Sequence, residues 1–308
     1  MGRGDGLCEM VFWLNGVGAF MEFEVPYRYP DHLTPEVADL PSSPGVYVFH
    51  GDGVDLPLYI GKSINIRTRV LSHLRTPEEA RMLHQTKRIT HIPTAGEIGA
   101  LLLESKMIKQ DFPLFNKRLR RSRQLCSLRL SNPASRATQV PQAPEIVDAK
   151  AIDFSKTEHL YGLFNSHRSA LEHLKNLADD NKLCYTHLGL ERSTQGKPCF
   201  RSQLHLCEGA CCGRESIAEH HARLLACLAE MQVNVWPHTG ALGLIERYPP
   251  NEAHDLDIHV VRNWCHLGTV HDVATAKALA RVDAHFDADA YKILCKPILS
   301  GSVEMVAL

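Results

Sequence analysis

Residues 44–61 read PGVYVFHGDGVDLPLYIG, and this stretch predicts a β-hairpin. A β-branched and aromatic run at 46–49 is followed by a turn of Gly and Asp residues and by a second apolar run at 58–60. Each strand carries one tyrosine, Tyr47 and Tyr59. Because side chains alternate across a strand, Tyr59 must point away from the side that its neighbours Leu58 and Ile60 occupy. Taken alone, two strand tyrosines indicate packing, since aromatic residues favour strands.

The composition is that of a soluble globular protein, with 44% hydrophobic and 22% charged residues, and 308 residues suggest two or three domains. The net charge is -1, yet the stretch from Ile60 to Leu125 holds 14 Lys and Arg against five Asp and Glu. A basic block on a balanced chain predicts one anion-binding domain, with a polyphosphate as the obvious ligand.

The N-terminal residues and the cysteines indicate in which cellular compartment the protein is expected. Residues 1–20 contain a short apolar run with one arginine, which is too short to span a membrane and makes a poor signal peptide. Ten cysteines without an export signal favour reduced thiols, so the expected location is cytoplasmic. Met21 is an alternative start, which would make the first 20 residues non-native.

Two amphipathic helices are predicted after the hairpin. The first follows Gly61, with Ser63 as N-cap, an apolar side at Val70, Leu71 and Leu74, and Lys62, Arg69 and His73 on a polar face. Such a face is either simply solvated or part of an anion site. Before the hairpin, a short helix at 34–40 is expected to pack on it.

The second helix has the sequence EIGALLLESKMIKQ at 97–110, after a strand near 88–92. Glu104 lies at the border of its apolar stripe, where a carboxylate reaches either solvent or a cleft. Asn116 then precedes KRLRRSR, in which five of seven residues are cationic. This run is either a solvated linker or a clamp for a nucleic-acid backbone, formed by Lys117, Arg118, Arg120, Arg121 and Arg123.

A cluster of cysteines follows in the second half of the chain, in the order Cys184-x14-Cys199-x7-Cys207-x3-Cys211. Four thiolates within 28 residues suit a tetrahedral metal site, and the spacing alone accepts zinc or an iron–sulfur cluster. Two close CxxC pairs, typical of zinc ribbons, are absent, which favours iron–sulfur. The other thiols, Cys126, Cys227, Cys265 and Cys295, are interpreted as ordinary buried residues.

These residues together resemble a known family. GVY at 45–47, YIG at 59–61, an arginine ten residues after the second tyrosine, and Glu104 and Asn116 beyond it are similar to the GIY-YIG nuclease domain. The runs YIGKSINIRTRVLSHL and EIGALLLESKMIKQDFPLFNKRLR resemble the UvrC family, and the short UvrC-like excinucleases in particular. HLYGLFNSHRSALEHLKNLADDNKLC also resembles the UvrC segment that leads into a cysteine region.

The resemblance implies an α+β fold. A small GIY-YIG sandwich, with a three-stranded, mostly antiparallel sheet flanked by helices, precedes a cysteine-rich helical region and an α+β C-terminal region. The predicted divisions are a lead-in at 1–40, the nuclease domain at 41–118, a basic linker and connecting segment at 119–180, the cysteine region at 181–234 and a C-terminal region of open role at 235–308. In the last two, one helix is predicted at 214–233 and another from Asp272 to about Ala284, and His259, Trp264 and His266 are interpreted as packing or surface residues.

The activity implied by the resemblance is that of an endonuclease of nucleotide excision repair. It would cut the damaged strand of double-stranded DNA on the 3′ side of a lesion, as a monomer working with UvrA and a UvrB–DNA complex, and its expression would belong to the SOS response. The alternatives are a free-standing structure-specific nuclease with a zinc module and an inert DNA-binding adaptor.

The site residues follow from the same resemblance. Tyr59 would be the general base, Lys62 and Arg69 would contact phosphate, and Glu104 would hold one Mg2+ or Mn2+ ion. Tyr47 and Asn116 would orient water or phosphate. His73 stands where many UvrC-type domains have a tyrosine, so that its imidazole could add a pH dependence. The four cysteines would ligate a [4Fe–4S] cluster.

Overall fold

The structure is a computed structural model that describes residues 27–53, 57–116, 125–130, 143–192, 197–250 and 254–308. The helices are α1 Thr34–Ala38, α2 Ile66–Leu74, α3 Ala80–Gln85, α4 Glu97–Asp111, α5 His167–Asp180, α6 Phe200–Gln203, α7 Ile217–Leu228, α8 Val273–Leu279 and α9 Ala288–Ser300. The strands are β1 Gly45–His50, β2 Pro57–Ser63, β3 Arg88–Pro93, β4 Cys126–Arg129, β5 Glu145–Asp148, β6 Leu160–Phe164, β7 Gln232–Val233, β8 Leu242–Arg247, β9 Leu256–Arg262, β10 Cys265–Val270 and β11 Glu304–Ala307. The alternative start at Met21 and the predicted basic clamp at 117–123 lie outside the described residues.

The hairpin forms the first sheet, in which β2, β1 and β3 are antiparallel and lie in that order. Both faces of this sheet are covered. Val46, Val48 and Ile60 pack on one face against Ile108 of α4, and Tyr47 belongs to the aromatic and aliphatic core on the other. That second core includes residues of the lead-in, as expected: Leu33, Val37 and Leu40.

The prediction that Lys62 lies on the polar face of the first helix is wrong. Strand β2 continues past Gly61, because Lys62 pairs with Val46 and Ser63 pairs with Gly45. Helix α2 therefore begins later, and its N-cap is Asn65, whose side chain accepts a hydrogen bond from the amide of Thr68. Ser63 is not the N-cap that its residue type suggested.

Two four-stranded antiparallel sheets follow in the chain, with strand orders β5-β4-β6-β7 and β10-β9-β8-β11. The predicted helix at 214–233 is shorter than expected. It starts at a capping box formed by Ser216 and Glu219, ends at Leu228, and residues 232–233 join the second sheet by pairing with 160–161. The predicted division at residue 180 therefore falls among segments that share one sheet.

The C-terminal region is built on the third sheet. Asp272 caps α8, which ends at Leu279 rather than near Ala284, and the stretch KILCKPIL lies in α9. Trp264 and His259 are fully buried, in agreement with their interpretation as packing residues. The whole is the α+β fold that was predicted, and no helix in the described ranges is long and apolar enough to cross a bilayer.

Candidate functional site

The first element of the site is the close contact between Tyr47 on β1 and Gly61 on β2. These residues face each other in the antiparallel register, and Tyr47 is almost fully buried. A Cβ atom at Gly61 would collide with the Tyr47 hydroxyl and lie 2.9 Å from the Cε1 atom of Tyr59. Glycine is therefore required where the two tyrosines meet, because only a residue without a side chain leaves room for both rings.

A chain of hydrogen bonds runs from Tyr47 into α2 and the turn after it. The Tyr47 hydroxyl lies 2.7 Å from Nε2 of the buried His73, and Nδ1 of His73 lies 2.5 Å from a carboxylate oxygen of Glu79. If Nδ1 donates to the carboxylate, Nε2 is the acceptor for the Tyr47 hydroxyl. The Glu79 carboxylate thereby selects the tautomer of His73 and orients the phenol.

The imidazole of His73 also forms part of an aromatic group with both tyrosines. Its ring centroid is 5.5 Å from that of Tyr47, 5.4 Å from that of Tyr59 and 5.6 Å from that of Phe49. These separations are those of favourable edge and tilted ring pairs. The Tyr59 ring belongs to this aromatic group, although the residue as a whole is only partly buried.

Burial raises the pKa values of both phenols. For Tyr47 the further causes are the nearby Tyr59 hydroxyl and Glu104, while a hydrogen bond with Arg69 acts in the opposite direction. For Tyr59 the pKa is raised by burial and then by the charge of Glu104, and Arg69 lowers it. Tyr59 therefore keeps its proton until the carboxylate charge beside it is neutralised, and only its deprotonated form can act as a base.

Glu104 lies on α4 and faces the turn into α2. One oxygen of its carboxylate accepts a hydrogen bond of 3.0 Å from the backbone amide of Lys62. Burial raises the pKa of Glu104, and this amide partly counteracts the rise. Among the described residues the other carboxylate oxygen has no hydrogen-bond partner, so Glu104 keeps lone pairs for a hard cation. A single carboxylate plus water is a common way to hold Mg2+, so these residues fit the ion.

The remaining predicted residues are drawn to the same edge of the sheet. Arg69 is exposed on α2, and its guanidinium lies close enough to the Tyr47 hydroxyl for each group to shift the pKa of the other. The Lys62 ammonium forms a 2.6 Å ion pair with Glu97. The amide group of Asn116 accepts from the amide of Ile60 at 2.9 Å and donates to its carbonyl at 2.8 Å, which binds the segment after α4 to strand β2.

The four predicted cysteine ligands also come together. The Sγ atoms of Cys184, Cys199, Cys207 and Cys211 lie within 4.8 Å of one another, and Cys211 alone of the four is partly exposed. Backbone amides donate to three of the sulfurs: that of Ser202 to Cys199, that of Gly209 to Cys207 and that of Cys199 to Cys211. A set of soft thiolates supported by N–H···S bonds fits a zinc ion or an iron–sulfur cluster.

Comparisons with known proteins agree with this arrangement. Residues 43–117 match the family model of the UvrC-like GIY-YIG domain, residues 125–230 that of the UvrC/Cho excinuclease middle domain and residues 241–308 that of the excinuclease Cho C-terminal domain. The excinuclease Cho of Escherichia coli K12 is 51% identical over 290 residues, which cover 94% of each chain, and the same values hold for that of Salmonella typhi. The chain belongs to the Cho family of excinucleases.

Membership in the Cho family makes the chain an endonuclease of excision repair, as predicted. More distantly, the UvrABC system protein C of Methanothermobacter thermautotrophicus is 32% identical over 180 residues, which are 58% of this chain and 28% of that protein. A crystal structure of the GIY-YIG N-terminal endonuclease domain of UvrC from Thermotoga maritima, bound to its catalytic divalent cation magnesium, is 30% identical. It covers 27% of this chain and 94% of its own, with a TM-score of 0.26.

One residue of the site was missed in the sequence. Glu79 lies in a short 3-10 turn before α3, six residues after His73, and its carboxylate contacts the imidazole. The order Thr-Pro-Glu-Glu at 76–79 is typical of a helix start and carries no signal for a contact with His73. A spacing of six does not place two residues on one helix face, and the contact arises because the chain turns between them.

Proposed function

We propose that this chain cuts the damaged strand of double-stranded DNA on the 3′ side of a lesion, in concert with UvrA and a UvrB–DNA complex. The observation that carries the nuclease chemistry is the convergence of Tyr59, Glu104 and Arg69 at one edge of the first sheet. The side of the cut and the partner proteins rest on the resemblance to the UvrC family. The protein is expected to act as a cytoplasmic monomer and to belong to the SOS response.

In the proposed reaction, Tyr59 is the general base for the attacking water. Tyr59 is only partly buried, whereas Tyr47 is almost fully buried and burial raises its pKa far more strongly. Arg69 contributes bidentate donors for the phosphate oxygens and lowers the pKa of Tyr59. Tyr59 is thus the phenol that more readily loses its own proton to solvent, and its phenolate would then accept the proton of the attacking water.

Glu104 would hold one Mg2+ or Mn2+ ion. When bound, this ion supplies charge neutralisation at the phosphate and offsets the carboxylate charge that raises the pKa of Tyr59. Lys62 positions Glu104 through its backbone amide, and its ammonium would exchange the Glu97 carboxylate for a phosphate oxygen when DNA binds. A single carboxylate ligand favours a one-ion reaction.

His73 and Glu79 act through Tyr47. Their hydrogen bonds keep the Tyr47 proton directed at the imidazole, so that the phenol oxygen remains an acceptor for Arg69. This arrangement holds the guanidinium at the rim of the cleft, where the phosphate is expected. Asn116 acts in a similar way by fixing the backbone of Ile60 next to Tyr59, besides its predicted role of orienting water or phosphate.

The basic run after Asn116 would bind the DNA backbone through Lys117, Arg118, Arg120, Arg121 and Arg123. Phosphate contacts of this kind add affinity without sequence preference and weaken steeply with salt. Support comes from the position of the run in the chain, since it follows directly on the residue that is bound to β2. Replacing pairs of these residues by Gln should reduce the salt dependence of DNA binding.

The decisive experiment is a nicking assay on a lesion-bearing duplex with purified UvrA and UvrB, Mg2+ and nucleotide-resolution mapping. Wild-type protein should cut the damaged strand 3′ of the lesion, and Glu104→Gln and Arg69→Ala should abolish the cut. Normal cutting by either variant would remove the assignment of the site. Cutting on the 5′ side, or without UvrA and UvrB, would leave a nuclease but refute the repair step proposed. The same assay excludes the inert adaptor.

We further propose that the four cysteines hold a [4Fe–4S] cluster that braces the fold around the second sheet, far in sequence from the nuclease residues. All four donors are thiolates, as this cluster prefers. The second candidate is zinc, and the sulfur spacing favours it. A tetrahedral ion about 2.3 Å from each sulfur spaces the sulfurs by about 3.8 Å. That value lies inside the 4.8 Å limit, whereas an inserted iron–sulfur cube requires the four thiolates to move apart.

Anaerobic purification distinguishes the [4Fe–4S] cluster from a zinc ion. A brown protein that absorbs near 400 nm and contains about four iron atoms per chain supports the cluster. A colourless protein with one zinc per chain supports a zinc ion at the same four cysteines instead. Cys184→Ser should lose the metal in either case, and Cys295→Ser, which changes a thiol outside the cluster, should retain it.

A further inference from the structure

The C-terminal sheet contacts the first turn of α4, the helix that carries Glu104. The capping residue of this helix is Gly96, which offers no side chain, and the first turn receives its acceptor from another part of the chain. Glu246 on β8 accepts hydrogen bonds from the amides of Ile98 at 2.9 Å and Gly99 at 2.8 Å, one on each carboxylate oxygen. A carboxylate here satisfies two free amides and complements the helix dipole.

The orientation of the Glu246 side chain is fixed by a second buried residue, His259. His259 is completely buried, its Nε2 lies 3.0 Å from the Glu246 carboxylate, and its Nδ1 lies 2.9 Å from the hydroxyl of Thr269. The carboxylate is only 13% exposed. Two strands of one sheet thus fix the orientation of an acceptor that serves a helix of the nuclease domain.

Glycines at the start of α4 allow this contact. A Cβ atom at Gly96 would collide with the Glu246 carboxylate, and one at Gly99 would lie 3.0 Å from Cε1 of His259 and 3.2 Å from the carboxylate. The amide of Ala95 also donates to Asp257 on β9, at 3.2 Å. The contact between the nuclease domain and the C-terminal sheet therefore uses backbone amides before α4 as well as those in its first turn.

The same helix is held at its other end and along its length. The Lys109 ammonium contacts the carboxylates of Asp287 and Asp289 at the start of α9, at 3.0 and 2.9 Å. Leu102 packs in the hydrophobic core of the C-terminal region, whereas Ile108 packs against the nuclease sheet. Glu104 lies between these two anchor residues, about one and a half turns of helix after the amides that Glu246 caps.

We propose that Glu246 is a positioning residue for the nuclease site: it fixes α4 through the amides of Ile98 and Gly99, and thereby fixes the Glu104 carboxylate for the divalent cation. This gives the C-terminal region a part in catalysis through the cation. The inference rests on the proposed function, because it takes Glu104 as the cation ligand. A shift of about 1 Å in a ligand is enough to weaken a site strongly.

The test measures cation binding by the free, full-length protein as well as cutting. Mn2+ is titrated into the protein and the unbound ion is followed by electron paramagnetic resonance, and the nicking rate is measured against Mg2+ concentration. Glu246→Gln should weaken Mn2+ binding about 3- to 10-fold and raise the half-saturating Mg2+ concentration equally, the effect expected from one charge-assisted hydrogen bond. The rate at saturating Mg2+ should fall much less.

A matched control is available on the same strand. Arg247 is adjacent to Glu246, and its side chain pairs with Glu304 in a largely exposed salt bridge. Arg247→Ala should leave Mn2+ affinity and Mg2+ dependence unchanged. A merely structural role for Glu246 would lower the folded fraction but not the affinity of each folded molecule, so binding is expressed per folded chain from circular dichroism.

The outcomes separate this inference from the proposed function. If Glu104→Gln binds Mn2+ as well as wild type, the cation assignment fails and this inference falls with it. If Glu104→Gln loses Mn2+ while folded Glu246→Gln binds normally, only the positioning inference is overturned. Should Glu246→Gln not fold, Thr269→Val replaces it, since that change removes the hydroxyl partner of His259. Normal Mn2+ affinity in that variant would overturn the inference as well.

Discussion

The nuclease site and the junction with the C-terminal sheet each depend on one carboxylate, that of Glu104 on α4 and that of Glu246 at the first turn of α4. The surroundings of these two carboxylates shift their pKa values in opposite directions. Glu246 accepts two backbone amides and contacts His259, and these partners lower its pKa despite its burial. Glu104 accepts one amide, and its burial raises its pKa. A carboxylate whose lone pairs are used stabilises the fold, whereas one with unused lone pairs is kept at a cost in stability and is free to bind a ligand.

The largest expected effect comes from Glu104→Gln. Cutting should fall by about 10³-fold or more, the range seen when a main electrostatic contribution to catalysis is removed. The free energy of unfolding should stay constant or rise, because the variant removes a charge that burial disfavours. Urea titration followed by circular dichroism measures the second quantity. A marked loss of stability would show that Glu104 is a structural residue like Glu246.

Replacing Glu246, the other of the two carboxylates, should mainly lower the stability of the fold. Glu246→Ala leaves two amides and the buried His259 without their acceptor, and should lower the free energy of unfolding by about 3 kcal/mol. The same urea titration measures this loss. Unchanged stability would mean that water replaces the carboxylate at no cost and that the junction is looser than its contacts indicate.

Two glycines allow each region to be disturbed without changing a charge. Gly61→Ala forces Tyr47 and Tyr59 apart, and Gly96→Ala pushes against Glu246. Each should cost about 1–3 kcal/mol of stability, as overpacking does. In folded protein at saturating Mg2+, Gly61→Ala should greatly reduce the cutting rate, whereas Gly96→Ala should mainly raise the Mg2+ requirement. Identical kinetic profiles for the two variants would contradict this difference, in which Gly61 affects the cutting rate and Gly96 affects the Mg2+ requirement.

The two carboxylates should also respond differently to acid. The stabilisation from Glu246 is present above the ordinary carboxyl pKa and is lost as the pH falls through its lowered value in the fold. The cost of ionised Glu104 is complete above its raised pKa and disappears below the ordinary one. The free energy of unfolding, measured from neutral pH into the acid range, should therefore depend less on pH in Glu246→Gln than in wild type. In Glu104→Gln it should depend more on pH than in wild type.

The smallest effect is expected from Lys109→Met. The ammonium lies between two aspartates but is 39% exposed, and exposed pairs contribute about 1 kcal/mol or less. Thermal unfolding should shift by a few degrees at most, and the cutting rate should hardly change. A loss as large as that of Glu246→Ala would place the main anchor of α4 at its C-terminal end instead.

The sequence was sufficient for the parts of the site that depend on local pattern. Strand alternation placed Tyr59, helix periodicity placed Arg69 and Glu104, and the order of these residues identified the domain. Lys62 was assigned to the wrong element because Ser63 and Asn65 are both good N-caps, and only the pairing of β2 with β1 decides between them. Local propensity carries no information about how far a strand pairs.

Local sequence pattern could not predict contacts between segments that are far apart in the sequence. Glu246 is 147 residues from Gly99, and on its own strand it looks like an ordinary charged residue near an exposed end. Its value as a cap appears only when the third sheet is packed against α4. His259 was interpreted as a packing or surface residue, and its complete burial agrees with packing, but that interpretation did not include its hydrogen bond with Glu246.

The segment that follows α4 has a consequence for association between molecules. Strand β2 is an edge strand, and edges with free amides and carbonyls invite strands from other chains. Here the amides of Leu114 and Phe115 bond to the carbonyls of Pro57 and Leu58, and the Asn116 side chain bonds to both backbone groups of Ile60. The chain thus completes its own sheet edge beside Tyr59, and the protein can keep the tyrosine that we propose as general base on an outer strand without offering that strand as a seed for aggregation.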